Sequence, residues 1–189
     1  MGRPDNRHNL RMQNGVLIAN YQFMAQYNRW FNQRLYAACG QLPDEERKRE
    51  RGAFFGSIHK TLNHLVWGDK TWLRRFAEQG VQFESLPARL LELPEDARHG
   101  AILHADWPAL WAERQQLDDA LDSWTREMPA DFPLRTMRYS NSSGVQREHP
   151  AWKALTHFFN HQTHHRGQVT TLLAQAGIDP GVTDLIALT

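Results

Sequence analysis

The sequence predicts an all-α four-helix bundle with a long crossover and a small β-hairpin before the last helix, and three observations carry that expectation. Four long segments space their apolar residues at helical intervals. Glycine and proline punctuate the gaps between them. One segment repeats its apolar residues at a near-heptad interval, which suits a bundle seam. At 189 residues the chain is long enough to bury the core of one domain.

Residues 1–13, polar and containing Pro4, read as a flexible N-terminus, and 14–189 as the bundle. The first helix runs from about Asn14 to Cys39 and is ended by Gly40 and Pro43. Its apolar line is Leu17, Tyr21, Met24, Phe31 and Leu35, with Asn28 in the same stripe. An asparagine there needs buried hydrogen-bond partners, so Asn28 is expected to make a polar contact within the core. Pro43 to Arg51 is a charged connector with room for one helical turn. The second helix spans about Phe54 to Gln79 and stops at Gly80. Val81 to Ala105, with Pro87 and Pro94, reads as an irregular crossover, and loops of that length are often functional or cover something.

A third helix opens near Asp106, a good N-cap with Pro108 in the first turn, and ends before Pro129. Leu110, Leu117, Leu121, Trp124 and Met128 form its seam. Leu134 to Tyr139 and Val145 to Glu148 flank a turn-rich Ser140–Gly144 and predict the hairpin. Pro150 starts the fourth helix at its first position, Gly177 ends it, and Pro180 blocks continuation.

Composition narrows the function. Lys and Arg number 22 against 21 Asp and Glu, and no block of like charge is long enough for a nucleic-acid arm or an acidic tail. Nucleic acid is therefore not an expected partner, since phosphate neutralisation supplies most of such affinity. The single cysteine, Cys39, excludes an internal disulfide and a cysteine-based zinc site, fits a reducing compartment, and reads as a packing residue rather than a nucleophile. No stretch has the apolar length of a signal peptide or a membrane span, so the expectation is a cytoplasmic protein without a membrane partner. Of the 7 tryptophans, Trp72, Trp107, Trp111 and Trp152 suit a cavity wall, although in a bundle such residues more often belong to the core or an interface.

Histidines are concentrated in the fourth helix, where His157, His161 and His165 rise at i, i+4, i+8 with His164 beside them. At about 100° per residue, His165 lies roughly 60° and His161 roughly 100° from the apolar direction, whereas His157 and His164 sit about 140–160° away and face solvent. A pair at i, i+4 can reach one metal ion, the spacing of helical zinc sites, although a solvated face is the commoner meaning of that spacing. The second helix offers His59, near its apolar stripe, or His64, on a small polar face with Ser57, Thr61, Gly68 and Thr71; periodicity does not choose between them.

The stretch Phe55-Gly56-Ser57-Ile58-His59-Lys60-Thr61-Leu62-Asn63-His64-Leu65 resembles the second helix of DinB/YfiT-like proteins. Asn160-His161-Gln162-Thr163-His164-His165-Arg166-Gly167-Gln168 closely resembles their fourth-helix signature. Tyr27-Asn28-Arg29-Trp30 and Thr183-Asp184-Leu185 also look like positions of that family, so the resemblance runs from about Asn14 to Leu188. It implies a three-histidine metal site of His64, His161 and His165 on the bundle. It also implies thiol-dependent transfer or isomerisation, with a low-molecular-weight thiol as the small-molecule partner, and a homodimer.

Three neutral histidines leave a divalent ion its full charge and an open position, the pattern of a reactive rather than a closed site. Such a site accepts Zn, Ni, Fe or Mn according to supply. Gln162 stands where a helical zincin carries its general-base glutamate, which argues against metalloprotease chemistry. Asp69 and Arg166 both fall near buried directions, and charges placed there should be paired. The expectation is an Asp69–Arg166 ion pair, or Asp69 accepting from a ligand imidazole; a buried pair with no part in chemistry is the plainer alternative. A metal-dependent enzyme is the first reading, and a non-catalytic metal-binding protein of sensing or stress response is the second.

Overall fold

A computed structural model of the chain describes residues 6–188, with side chains from 15 onward. Four long helices form the bundle: α1 (Asn6–Gly40), α3 (Ile58–Ala77), α5 (Trp107–Glu127) and α6 (Ala151–Gln175). Two short helices, α2 (Asp44–Lys48) and α4 (Ala88–Leu91), interrupt the connector and the crossover. The expected flexible N-terminus divides: 1–5 lie outside the described residues, and 6–13 continue α1 as helix. Neither proline nor glycine occurs between Asn6 and Asn14 to stop it.

Helix α3 starts later than its apolar pattern predicts. Ser57 caps it by accepting from the Lys60 amide at 3.2 Å, and Gly56, at φ +80°, turns the chain just before. Asp106 caps α5 as expected, taking the Ala109 amide at 3.0 Å. The seam residues Leu110, Leu117, Leu121, Trp124 and Met128 are all buried. Each side chain of that size stabilises the fold by about 1.5–3 kcal/mol on burial.

Helix α1 packs on α5 and α6, while α3 packs on α6 and α5. The long crossover between α3 and α5 runs back along α3, from Ser85 at Glu127 past Glu92 at Lys70 to His104 at Asn63. Strands β1 (Thr136–Ser140) and β2 (Gln146–Pro150) pair antiparallel, with Arg138 opposite Glu148 and bonded to it at 3.0 Å. Asn141 holds the turn by accepting the amides of Ser143 and Val145. Among the described residues, no helix is long and apolar enough to cross a membrane.

Candidate metal centre

Helices α3 and α6 face each other, and their contact brings His64, His161 and His165 together. One nitrogen from each ring lies within 4.8 Å of the other two. The Nε2 atoms of His64 and His161 are 3.0 Å apart. Two nitrogens bound tetrahedrally to one zinc-sized ion would be about 3.3 Å apart, so the spacing suits a shared ion. His64 and His165 are buried, and His161 is half-buried. His157 and His164 are exposed, as their angles on the helix predict.

All three rings are held in the neutral form that ligates a metal. Burial lowers the His64 pKa to about 2, helped by the imidazoles of His161 and His165. Burial likewise lowers His161 to about 3, with His165 and His157 adding to the effect. His165 is lowered by burial against the opposing hydrogen bond to Gln168. In that bond His165 Nδ1 donates to Gln168 Oε1 at 2.8 Å, which leaves Nε2 as the free lone pair. His64 has no such acceptor for its buried Nδ1. Its ring is held instead by stacking on Phe55, at 4.0 Å and 22° between planes, and on Trp67, at 5.8 Å and 25°.

Gly68 makes room for the second ligand. A Cβ at that position would stand 2.8 Å from His161 Cε1. The small polar face of α3 seen in the sequence is thus a close-approach surface for α6. His59, the rival candidate, serves another purpose: its Nε2 bonds the His104 carbonyl at 2.8 Å. Asn63 joins it, donating to the same carbonyl and accepting the His104 amide at 2.8 Å. Together they fasten the end of the crossover to α3. His99, carried by that crossover, is exposed yet lays its ring 4.7 Å from His64. No periodic pattern marked His99, because its position depends on where the crossover is pinned.

The expected Asp69–Arg166 ion pair is replaced by a wider network. Asp69 bonds Arg114 of α5 at 2.5 Å and accepts from Gln162, not from an imidazole and not from Arg166. Arg114 also pairs with Asp118 at 3.0 Å, and Asp118 accepts from Asn28 and Asn32. Arg166 donates to the Asn28 side chain and lies over the rings of Tyr27 and Phe31, 5.1 and 4.7 Å from their centres. Two arginines and two aspartates are therefore balanced between the four main helices. Geometry explains the correction: α5 carries Arg114 to Asp69, whereas Arg166 points toward α1.

Burial works against each of these charges. It raises Asp69 to about 6 against the pull of Arg114, and lowers Arg166 to about 10. Arg114 is also desolvated, yet Asp118 and Asp69 hold its pKa above the ordinary value. All three stay ionised at neutral pH. Gln162 turns its amide into this network rather than toward the histidines, which removes it from any role as a base. Cys39 is buried at the end of α1, and burial pushes its thiol up to about 12, so it packs and does not react.

The sequence as a whole has relatives. The model of the DinB family matches residues 12–189. Protein DinB of Bacillus subtilis (strain 168) is 28% identical over 159 residues, 84% of this chain and 87% of that protein. With a match that spans the bundle and all three clustered histidines, the chain belongs to the DinB family.

Proposed function

We propose that His64, His161 and His165 bind one divalent transition metal, Zn, Ni, Fe or Mn, and that the protein is a metal-dependent enzyme. The observation that carries this reading is the mutual approach of three neutral imidazole nitrogens within 4.8 Å, from two helices and, among the described residues, without a fourth protein ligand in the cluster. Three such donors supply no negative charge. The ion would therefore keep its Lewis acidity and an open position for water, or for a thiol held as thiolate. Thiol-dependent transfer to or from a small molecule is the leading chemistry, supported by resemblance to the family. Gly68 lets His161 in, Gln168 orients His165, and Phe55 with Trp67 aligns His64.

A second reading, a metal-binding protein of sensing or stress response without turnover, is favoured by one observation. None of the three rings lines the large cleft beside them; Trp67 and His99 stand between. A cytoplasmic location and a homodimer belong to the same proposal. Exposed apolar side chains such as Val16 and Val182 support self-association, which sedimentation would show as twice the 22.0 kDa chain mass.

Elemental analysis of purified protein tests the centre. About one equivalent of a first-row metal in wild type, lost in His161→Ala, is the expected result. If wild type carries no metal and takes none up on addition, the proposal fails. With metal bound, turnover of an electrophilic small molecule that requires an added thiol would separate the enzyme from the sensor.

A further inference from the structure

A cleft of about 810 Å³ lies between α3, the crossover and the β1–β2 turn, a volume within the range of small-molecule sites. Its wall nearest the histidine centre is made by Trp67 and His99, whose rings pack on each other at 5.8 Å and both contact His64. Three guanidiniums line it: Arg74 and Arg75 from α3 and Arg98 from the crossover. Two carboxylates, Glu78 and Glu95, share the rim.

None of the three arginines makes an ion pair among the described residues, although eight other arginines of the chain do, from Arg29 to Arg138. Arg75 is the most constrained. Its guanidinium lies 4.7 Å from the centre of the Trp72 ring and 4.8 Å from that of Tyr139, and donates to the Ser140 carbonyl at 3.3 Å. Burial lowers its pKa, so the group is partly stripped of water; the Glu78 carboxylate in the same cleft acts against that shift but makes no ion pair with it. Arg98 donates only to the backbone carbonyl of Glu95, at 2.9 Å. A guanidinium fork offers paired donors that match a carboxylate or a phosphate oxygen pair. Three of them, lining one concave surface without an ion pair among the described residues and with at most one backbone carbonyl each, leave most of that donor capacity for a ligand.

We propose that this cleft binds an anionic small molecule, one bearing carboxylate or phosphate groups, through Arg74, Arg75 and Arg98, and presents it past Trp67 and His99 to the histidine centre. As a substrate site the cleft rests on the metal-dependent activity proposed above; as an anion site it stands on its own geometry. His99 and Trp67 then form the boundary between recognition and chemistry. An anion seated on Arg75 would also tie the crossover to the hairpin, because that side chain already bridges α3 and β1.

The test uses the full chain, metal-loaded and metal-free, titrated by calorimetry with succinate and separately with inorganic phosphate. Arg74→Gln/Arg98→Gln removes two exposed guanidiniums from the cleft. Arg89→Gln/Arg147→Gln removes two exposed arginines elsewhere and controls for general charge. Saturable binding of either anion is expected, weakened on the order of tenfold or more in the cleft variant and little changed in the control. Whichever anion binds more tightly identifies the oxyanion. Absence of saturable binding, or equal loss in both variants, overturns the proposal. Metal content measured on the same samples keeps the two readings apart: anion binding by a protein that takes up no metal sinks the enzyme, not the cleft. A loaded protein that ignores both anions sinks the cleft alone.

Discussion

Gly68 has no side chain, and His161 depends on that absence. Replacing a helical glycine by alanine ordinarily stabilises by about 1 kcal/mol. Here the new Cβ would fall 2.8 Å from a ring atom of His161, which is only half-buried and has room to swing away. Gly68→Ala is therefore expected to fold with unchanged or higher stability yet lose metal affinity by about tenfold or more, the size of effect seen when a ligand's support is removed. Metal competition with a chelator reads the affinity and thermal melting the stability; unchanged affinity would show that His161 is not held by this contact. Gln168→Ala makes a gentler prediction at the same scale. His165 would lose the acceptor that fixes its tautomer, so affinity should fall while the buried ring stays in place.

Between helices, the buried polar network decides how α6 is set against its neighbours. Asp69, Arg114, Asp118, Asn28, Gln162 and Arg166 are all nearly inaccessible to water. A network of that kind is costly when broken, because one partner is left charged and dry. Gln162→Glu would place a second carboxylate against Asp69, so the unfolding free energy in urea should fall by about 3 kcal/mol. The same variant should gain no hydrolytic activity, since position 162 faces Asp69 and not the histidines. Crossover and α3 meet in the same manner at Asn63, which satisfies both backbone groups of His104. Asn63→Ala leaves the His104 amide unpaired, while His59 still bonds the carbonyl, and should cost about 1–2 kcal/mol, with faster amide exchange at His104 than in wild type.

At the scale of the molecule, acid should act through the buried histidines. His59 and His64 are held below the ordinary imidazole pKa by burial, His64 to about 2. Unfolded, they titrate near 6.5, so as pH falls through that value the unfolded chain takes up protons that the native protein cannot. Stability from these groups is full above about pH 6.5 and drains away below it. The melting temperature of metal-free protein should accordingly drop between pH 7.5 and 5.0. Metal-loaded protein should drop more steeply, because protons compete with the ion for the same nitrogens. A flat profile for the metal-free form would mean these rings are open to solvent.

What could be read in the sequence by itself were the features written locally. Helix spacing, the Asp106 cap and the Gly177 stop define the bundle, because caps and apolar stripes act within a few residues. Pro150, expected as the first residue of the last helix, instead closes β2 and stands one residue before α6, because its backbone is held extended in the strand. His161 and His165 were legible as a pair because i, i+4 places both on one side of one helix. Asn28 is legible as a core polar residue for the same reason, and Arg114 with Asp118 lies in the α5 stripe beside Leu110, Leu117 and Leu121, a placement that marks both as buried charges. Choosing His64 over His59 needed family resemblance, since the two differ only in what lies across from α3. Only the tertiary structure decided that Asp69 meets Arg114 rather than Arg166, that Gly68 admits His161, and that the crossover sets His99 beside the centre and Arg98 in the adjoining cleft. These are pairings between residues far apart in the chain. Periodicity says which way a side chain points from its own helix, but the identity of the partner depends on how the helices are rotated and offset against one another.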